Sequence, residues 1–265
     1  MPRSAFAFAT RLAGAAVITI GFATTAAALP VFTWNPEAVG LDGNPITADN
    51  IILSNFTTVV LTPNGSGGAD FTDEGVLPFS AFQLGAAFVE GTGLNTTFGL
   101  YFGFEGTGTQ NTPDFNVDTS GTFTTLDFTL YGYNITGPVT YSPLNVTPTG
   151  VEDPIALATG TLISGGVGAT EVSPGVAVPN AQTLLTFTPT LDGAPFFESP
   201  DPFYTAVFSA FTNTRIHERD NATDGFVITQ GGGAANFLAA DVPEPASLAL
   251  LGMGLAGLGL IRRRG

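Results

Sequence analysis

The sequence predicts an all-β protein, a single antiparallel β-sandwich of jelly-roll type, between an N-terminal signal peptide and a C-terminal hydrophobic helix. Three observations favour this fold class. Phe, Val, Ile, Leu and Thr are common while only 11% of the 265 residues are charged, a composition typical of strands rather than of disorder. Gly and Pro, with 34 and 19 copies, recur as turn residues. Several segments alternate apolar and polar residues with a period of two.

Short strands account for most of the predicted domain, residues 29–238. The clearest alternation lies in 123–133, where Leu126, Phe128 and Leu130 share one face. Residues 76–90 suit one bent strand or two short ones, because Pro and Gly interrupt the pattern. The other strands are predicted at 51–62, 98–105, 155–163, 183–188, 203–211, 226–229 and 236–238.

The connections are predicted from polar and turn-forming residues. Residues 106–120 suit a hairpin connection. The segments 134–154 and 165–180 suit surface loops, because Pro, Asn, Thr and Gly are frequent in them. A helix near 79–87 is an alternative to a strand at that place. No internal repeat is visible, so we expect one domain.

Residues 1–28 have the three parts of a secretory signal peptide. A basic start, with Arg3 and Arg11, precedes an apolar segment at 12–22. A small-residue cleavage site follows, made up of Ala26 and Ala28 before Leu29. We therefore expect passage through the Sec translocon and cleavage by signal peptidase. A retained N-terminal anchor is the alternative.

The C-terminal segment has a stiff motif, an apolar run and a basic end, in that order. A linker at 239–247 contains the motif Val242, Pro243, Glu244 and Pro245, and its prolines favour an extended, exposed peptide. Residues 248–265 hold an apolar run, predicted to be a transmembrane helix, and a basic stop-transfer end of Arg262, Arg263 and Arg264. This order favours a removable sorting signal over a plain membrane anchor, which is the alternative.

The motif, the apolar run and the arginines together resemble the PEP-CTERM sorting signal of proteins exported by Gram-negative bacteria that make extracellular polysaccharide. The resemblance implies processing by an exosortase after transient anchoring in the inner membrane, and a final location at the cell surface or in the extracellular matrix. A second resemblance, to flocculation-associated PEP-CTERM proteins, implies a role in cell aggregation with exopolysaccharide. It is carried by the segments 33–36, 71–75, 196–204, 208–214 and 231–237.

The predicted mature segment is strongly acidic. Residues 29–241 hold 21 of the 22 acidic residues and two of the seven basic residues, which gives this segment a net charge of −19. Such a surface repels nucleic acid, so nucleic acid is excluded as a partner. Cysteine is absent, so disulfides, thiolate catalysis and thiolate metal sites are excluded.

Few residues suggest chemistry. His217 lies between two arginines and lacks a nucleophile motif, so a solvated position is expected. Asp220 and Asp224 are weak calcium candidates, because their loop lacks the acidic ligands of an EF-hand. The acidic group at 70–74 is expected to be a solvated loop, and the tyrosines at 101, 131 and 133 are expected to pack at an edge rather than to stack on sugars. We expect no cofactor.

These observations favour a non-enzymatic exported protein with a structural or adhesive role in exopolysaccharide-associated aggregation, flocculation or biofilm. The alternative is a secreted carbohydrate-binding or carbohydrate-active protein that uses carboxylates and calcium. A cleft with converging carboxylates and an aromatic floor favours the alternative, whereas a closed fold with scattered acids favours the first hypothesis.

Overall fold

The structure, a computed structural model, describes residues 29–219 and 224–238. The predicted signal peptide, the linker with its Pro-Glu-Pro motif and the hydrophobic helix lie outside these residues. The described chain is all-β, with two short 3-10 helices at Pro36–Val39 and Ala194–Phe196. The strands are β1 Phe32–Trp34, β2 Ile46–Ala48, β3 Asn50–Pro63, β4 Ala69–Leu84, β5 Ala87–Phe88, β6 Phe98–Gln110, β7 Thr119–Asn134, β8 Ile155–Ser173, β9 Val176–Thr186, β10 Thr188–Pro189, β11 Phe197–Ser199, β12 Ala206–Glu218 and β13 Gly225–Phe237.

Eight long strands form one closed antiparallel barrel, so the predicted sandwich is wrong. Around the barrel the order is β3, β4, β6, β7, β8, β9, β12 and β13, and β13 pairs with β3 again. Strand β9 closes the barrel, because it pairs with β12 on one side and with β8 on the other. A sandwich would leave unpaired strand edges at that place, whereas a closed barrel leaves none.

The strands that close the barrel were predicted only in part, because many of their residues are small. Residues 165–180, predicted as a loop, form the end of β8, a turn and the first five residues of β9. The run Gly165, Gly166 and Gly168 supplies no large apolar side chain, so no period of two appears in the sequence. For the same reason the two strands predicted at 226–229 and 236–238 are one continuous strand, β13, which includes three consecutive glycines. The possible helix near 79–87 belongs to β4 and β5.

A small sheet with the order β11, β1 and β2 accompanies the barrel and supplies an aromatic cluster. Trp34 of β1 is completely buried. Its ring lies 4.9 to 6.1 Å, between centroids, from six phenylalanine rings: Phe32, Phe79, Phe82, Phe196, Phe197 and Phe237. Because these rings come from both sheets and from a 3-10 helix, aromatic burial fixes the small sheet to the barrel.

The segment between β7 and β8 covers a tyrosine patch on the outside of the barrel. Tyr101 and Tyr133 are buried, and the Tyr133 and Tyr141 hydroxyls lie 2.6 Å apart. The Thr58 hydroxyl donates to the Pro143 carbonyl at 2.6 Å, which holds the segment down. Burial raises the pKa of both Tyr133 and Tyr141. These tyrosines therefore pack beneath this segment rather than at a sheet edge, and they offer no open platform for a sugar ring.

Among residues 29–219 and 224–238, no helix is long and apolar enough to cross a membrane.

Candidate functional site

The barrel interior encloses a mainly apolar cavity of about 100 Å³. Every one of the eight barrel strands contributes to its wall, since side chains alternate between the inside and the outside along each strand. The aliphatic part of the wall includes Leu53, Val59 and Leu185. Its aromatic part includes Phe71, Phe102, Phe104, Phe123, Phe128 and Phe226. We call this space the barrel cavity.

One end of the barrel cavity is covered by the connection between β6 and β7. Phe115 of this connection lines the cavity and is buried. Its ring centroid lies 4.6 Å from that of Phe226. Side-chain hydrogen bonds hold the connection in shape, including Gln110 Nε2 to the Thr112 carbonyl at 2.6 Å. The connection was predicted at 106–120. It is shorter in the structure, because β6 extends to Gln110 and β7 begins at Thr119.

A pair of asparagines crosses the inner wall. Asn55 Nδ2 of β3 donates to Asn213 Oδ1 of β12 at 2.9 Å, and both residues are buried. Strand β13 runs between β3 and β12, and it places Gly231 opposite both asparagines. A Cβ atom on Gly231 would lie 2.0 Å from Asn213 Oδ1, so only glycine lets the two side chains meet. Asn55 Oδ1 has no hydrogen-bond partner among the described residues.

An acidic side chain lies on the same wall. Asp73 of β4 lines the barrel cavity and accepts a hydrogen bond from the Thr57 hydroxyl. That hydroxyl also lies 2.7 Å from the Glu74 carbonyl oxygen, yet it has one proton for two acceptors. A protonated Asp73 removes this conflict by donating to the Thr57 oxygen. Burial is the main cause that raises the pKa of Asp73, and together with the opposing Thr57 hydrogen bond and the smaller effect of the Glu74 charge it gives a pKa of about 6.

A third polar pair lies further along β12. The Thr183 and Ser209 hydroxyls are 2.6 Å apart, and both residues are buried. Each can satisfy the other as donor and acceptor, so this pair needs no further partner. Among the described residues that line the barrel cavity, Asn55 Oδ1 is the buried side-chain polar atom that has no hydrogen-bond partner.

The acidic side chains predicted as a loop group divide between the two sides of a strand. The group at 70–74 lies within β4 rather than in a loop. Asp70 and Glu74 are exposed, whereas Asp73 faces the barrel cavity. The reason is the period of two, which turns neighbouring residues to opposite faces. Because 70–74 was predicted to be a loop, the internal position of Asp73 was not predicted.

The other residues singled out in the sequence are scattered. His217 is exposed near the end of β12. Asp224 is half-buried just before β13, and Asp220 lies outside the described residues. Within the described ranges, no group of three His, Cys, Asp or Glu residues could hold a metal ion. Leu29 is the first described residue and is exposed. Ala26, Ala28, Val242, Pro243, Glu244, Pro245 and Arg262, Arg263 and Arg264 lie outside the described residues.

A comparison with protein-family models identifies a sorting signal at the C-terminal end of the sequence. Residues 241–264 match the PEP-CTERM protein-sorting motif. The chain carries a PEP-CTERM sorting motif. It is therefore an exported protein targeted to an exosortase for processing at the membrane. Comparisons with curated proteins and with solved structures gave no match.

Proposed function

We propose that this PEP-CTERM chain is a non-enzymatic, structural or adhesive protein of the cell surface or extracellular matrix, which acts in exopolysaccharide-associated aggregation such as flocculation or biofilm formation. The observation that carries the proposal is the sorting motif at 241–264. The signal peptide would direct the chain through the Sec translocon and would be removed by signal peptidase. The exosortase would then cut near the sorting motif and release residues 29 to about 241 on the outside of the inner membrane.

Two properties of the barrel support this role. Acidic side chains stand on the outer wall, among them Glu74, Glu105 and Asp127, and they suit a hydrated, salt-containing matrix. The core is built from aromatic and aliphatic side chains, and the chain has no cysteine, so its stability needs no oxidising step. A closed barrel, in which each of the eight long strands pairs with two neighbours, also resists unwanted strand pairing between copies at high local concentration.

The sorting step is tested by altering the motif and weighing the products. Glu244→Ala, or deletion of Arg262 to Arg264, should leave a full-length precursor in the membrane fraction. Wild type and the control Glu152→Gln, which changes an exposed acid of the barrel domain, should both yield a shortened protein by intact mass spectrometry. Normal processing of the motif variants would overturn the sorting step.

The aggregation role is tested in the host. Deletion of the gene should reduce cell aggregation, and a copy with an intact motif should restore it. A copy that carries Glu244→Ala should not restore it, because the barrel then fails to reach the surface. Unchanged aggregation after deletion would overturn the adhesive role while leaving the sorting step untouched.

A carbohydrate-binding function is the second candidate, and a groove on the outside of β8, β9 and β12 favours it. Ser164, Asn180 and Gln182 supply hydroxyl and amide groups there, beside the exposed ring of Phe208. Such groups can bind a neutral glycan through hydrogen bonds and ring contact. Phe208→Ala should weaken retention of the protein by host exopolysaccharide in affinity electrophoresis. Phe88→Ala, which removes an exposed ring on β5, should not.

A further inference from the structure

The barrel cavity is large for the interior of a folded domain. Protein interiors pack as densely as organic crystals, and most of their voids are smaller than a water molecule. The barrel cavity measures about 100 Å³. For comparison, a cavity of about 150 Å³ lined by apolar side chains binds benzene, so the barrel cavity suits a molecule of about four or five non-hydrogen atoms. Its walls of Phe, Leu and Val favour an apolar body.

One polar atom gives this space a preferred orientation for a guest. Asn55 is 6% exposed, and its Oδ1 has no partner among the described residues. Leaving such a buried acceptor unpaired is unfavourable. Asn55 Oδ1 stays unpaired because the amide nitrogen of the same side chain is held by Asn213 across Gly231. An atom that donates a hydrogen bond to Asn55 Oδ1 would therefore be favoured.

The neighbouring Asp73 carboxyl group also favours a ligand that donates a hydrogen bond. Thr57 lies two positions from Asn55 on the inner face of β3 and binds the Asp73 carboxyl group. Asn55 Oδ1 and the ionised Asp73 carboxylate both accept hydrogen bonds, so an ether, ketone or carboxylate would bring acceptor against acceptor. A hydroxyl group meets the opposite condition, since it donates.

We propose that the barrel cavity is a binding site for a small apolar alcohol, whose hydroxyl group donates to Asn55 Oδ1 and whose hydrocarbon part packs against the phenylalanines of the wall. The site is separate from the sorting motif and from the groove beside Phe208.

The test compares two isomers that differ only in the ability to donate. Butan-1-ol and diethyl ether have the same composition and nearly the same size. The full-length protein in lipid nanodiscs is titrated with each and followed by methyl NMR. The methyls of Leu53, Val59 and Leu185 report on the cavity wall, and those of the exposed Val172 and Leu191 report on the surface.

We expect saturable shifts of the cavity methyls with butan-1-ol, and binding of diethyl ether weaker by about tenfold, the effect of one buried acceptor left unpaired. Equal affinity for both isomers would overturn the hydroxyl recognition. Shifts confined to Val172 and Leu191, or no shifts, would overturn the site itself.

Two variants locate the effect. Ala181→Leu adds three carbon atoms at the cavity wall and should abolish binding of both isomers. The double variant Asn55→Leu/Asn213→Leu removes both partners of the amide pair, so neither asparagine is left without the other. It should bind butan-1-ol and diethyl ether with equal affinity, and that affinity should match the affinity of the wild type for diethyl ether. Persistence of the tenfold preference in the double variant would contradict the assignment to Asn55. The comparison of isomers in the wild type needs no variant and stands even where a variant misfolds.

Discussion

At the scale of single residues, Asp73 makes the stability of the barrel depend on pH. Its pKa is raised to about 6, so the folded state retains a proton that the unfolded chain releases near pH 4. The unfolded state therefore binds fewer protons than the folded state between these values, and stability falls as pH rises. Complete ionisation removes about 3 kcal/mol, at about 1.4 kcal/mol for each pKa unit.

Asp73→Asn should abolish this dependence. Urea unfolding at pH 8 should give the variant a free energy of unfolding up to about 3 kcal/mol above wild type. At pH 3 the two should agree closely, because Asp73 is then mostly protonated in both the folded and the unfolded state. Glu90→Gln, which removes an exposed carboxyl group, serves as the control and should keep the wild-type slope. The same slope in Asp73→Asn as in wild type would show that Asp73 does not titrate in the cavity.

Gly231 is the second residue on which the inner wall depends. A Cβ at this position meets Asn213 Oδ1 at 2.0 Å and the Asn55 Cβ at 2.9 Å, whereas a Cβ on the adjacent Gly232 meets nothing within 4 Å. Gly231→Ala should therefore separate the amide pair and lower the free energy of unfolding by about 2 kcal/mol or more. Gly232→Ala should be neutral or slightly stabilising. Thermal unfolding measures both, and similar melting temperatures would contradict the packing described for β13.

At the scale of elements, three neighbouring strands place like charges side by side on the outside of the barrel. Glu74 of β4 is opposite Glu105 of β6, which is opposite Asp127 of β7, and all three are exposed. Like charges directly opposite each other destabilise a sheet by roughly 0.2–1 kcal/mol for each pair. Glu105 belongs to both pairs, so it is the member whose charge matters most.

Glu105→Gln should raise the free energy of unfolding by about 1 kcal/mol at low ionic strength. The gain should shrink in 1 M NaCl, where the screening length falls to about 3 Å. Glu90→Gln, which leaves the row intact, should show a smaller gain. Denaturant unfolding at both salt concentrations makes the comparison. A gain for Glu105→Gln that persists in 1 M NaCl would contradict charge repulsion as its cause.

The strands that the sequence predicts well are those with large side chains on one face. Strands β6 and β7 alternate Phe or Leu with Gly, Tyr or polar residues, and both were located from this pattern. Strands β8, β9 and β13 contain many small residues, so their patterns were too weak to predict them in full. The contact of Asn55 with Asn213 joins residues 158 positions apart. No local pattern encodes such a pair, and the inner site was therefore not predicted, whereas the sorting motif was, because it is contiguous in sequence.

At the scale of the whole molecule, closure by β9 distinguishes the barrel from the sandwich that the sequence suggested. Alternation along a strand specifies a buried face and an exposed face, but both architectures satisfy it. What separates them is whether the first and last strands pair. Residues 181–185 of β9 pair with both β8 and β12, and Thr186 pairs with β12, whereas 176–179 pair with β8 alone, beyond the end of the pairing with β12.

Hydrogen exchange measures this closure directly. A backbone amide held between two strands opens only with the barrel, whereas an amide at a free edge opens locally at a much lower free energy. Amides of 181–186 should therefore exchange as slowly as those of 126–131 in the middle of β7, and amides of 174–178 at the exposed turn should exchange much faster. Mass spectrometry of peptic peptides resolves the three segments. If 181–186 exchanged as fast as 174–178, β9 would be a free edge, the barrel would be open along that side, and the cavity wall that β9 supplies through Ala181, Thr183 and Leu185 would not be closed.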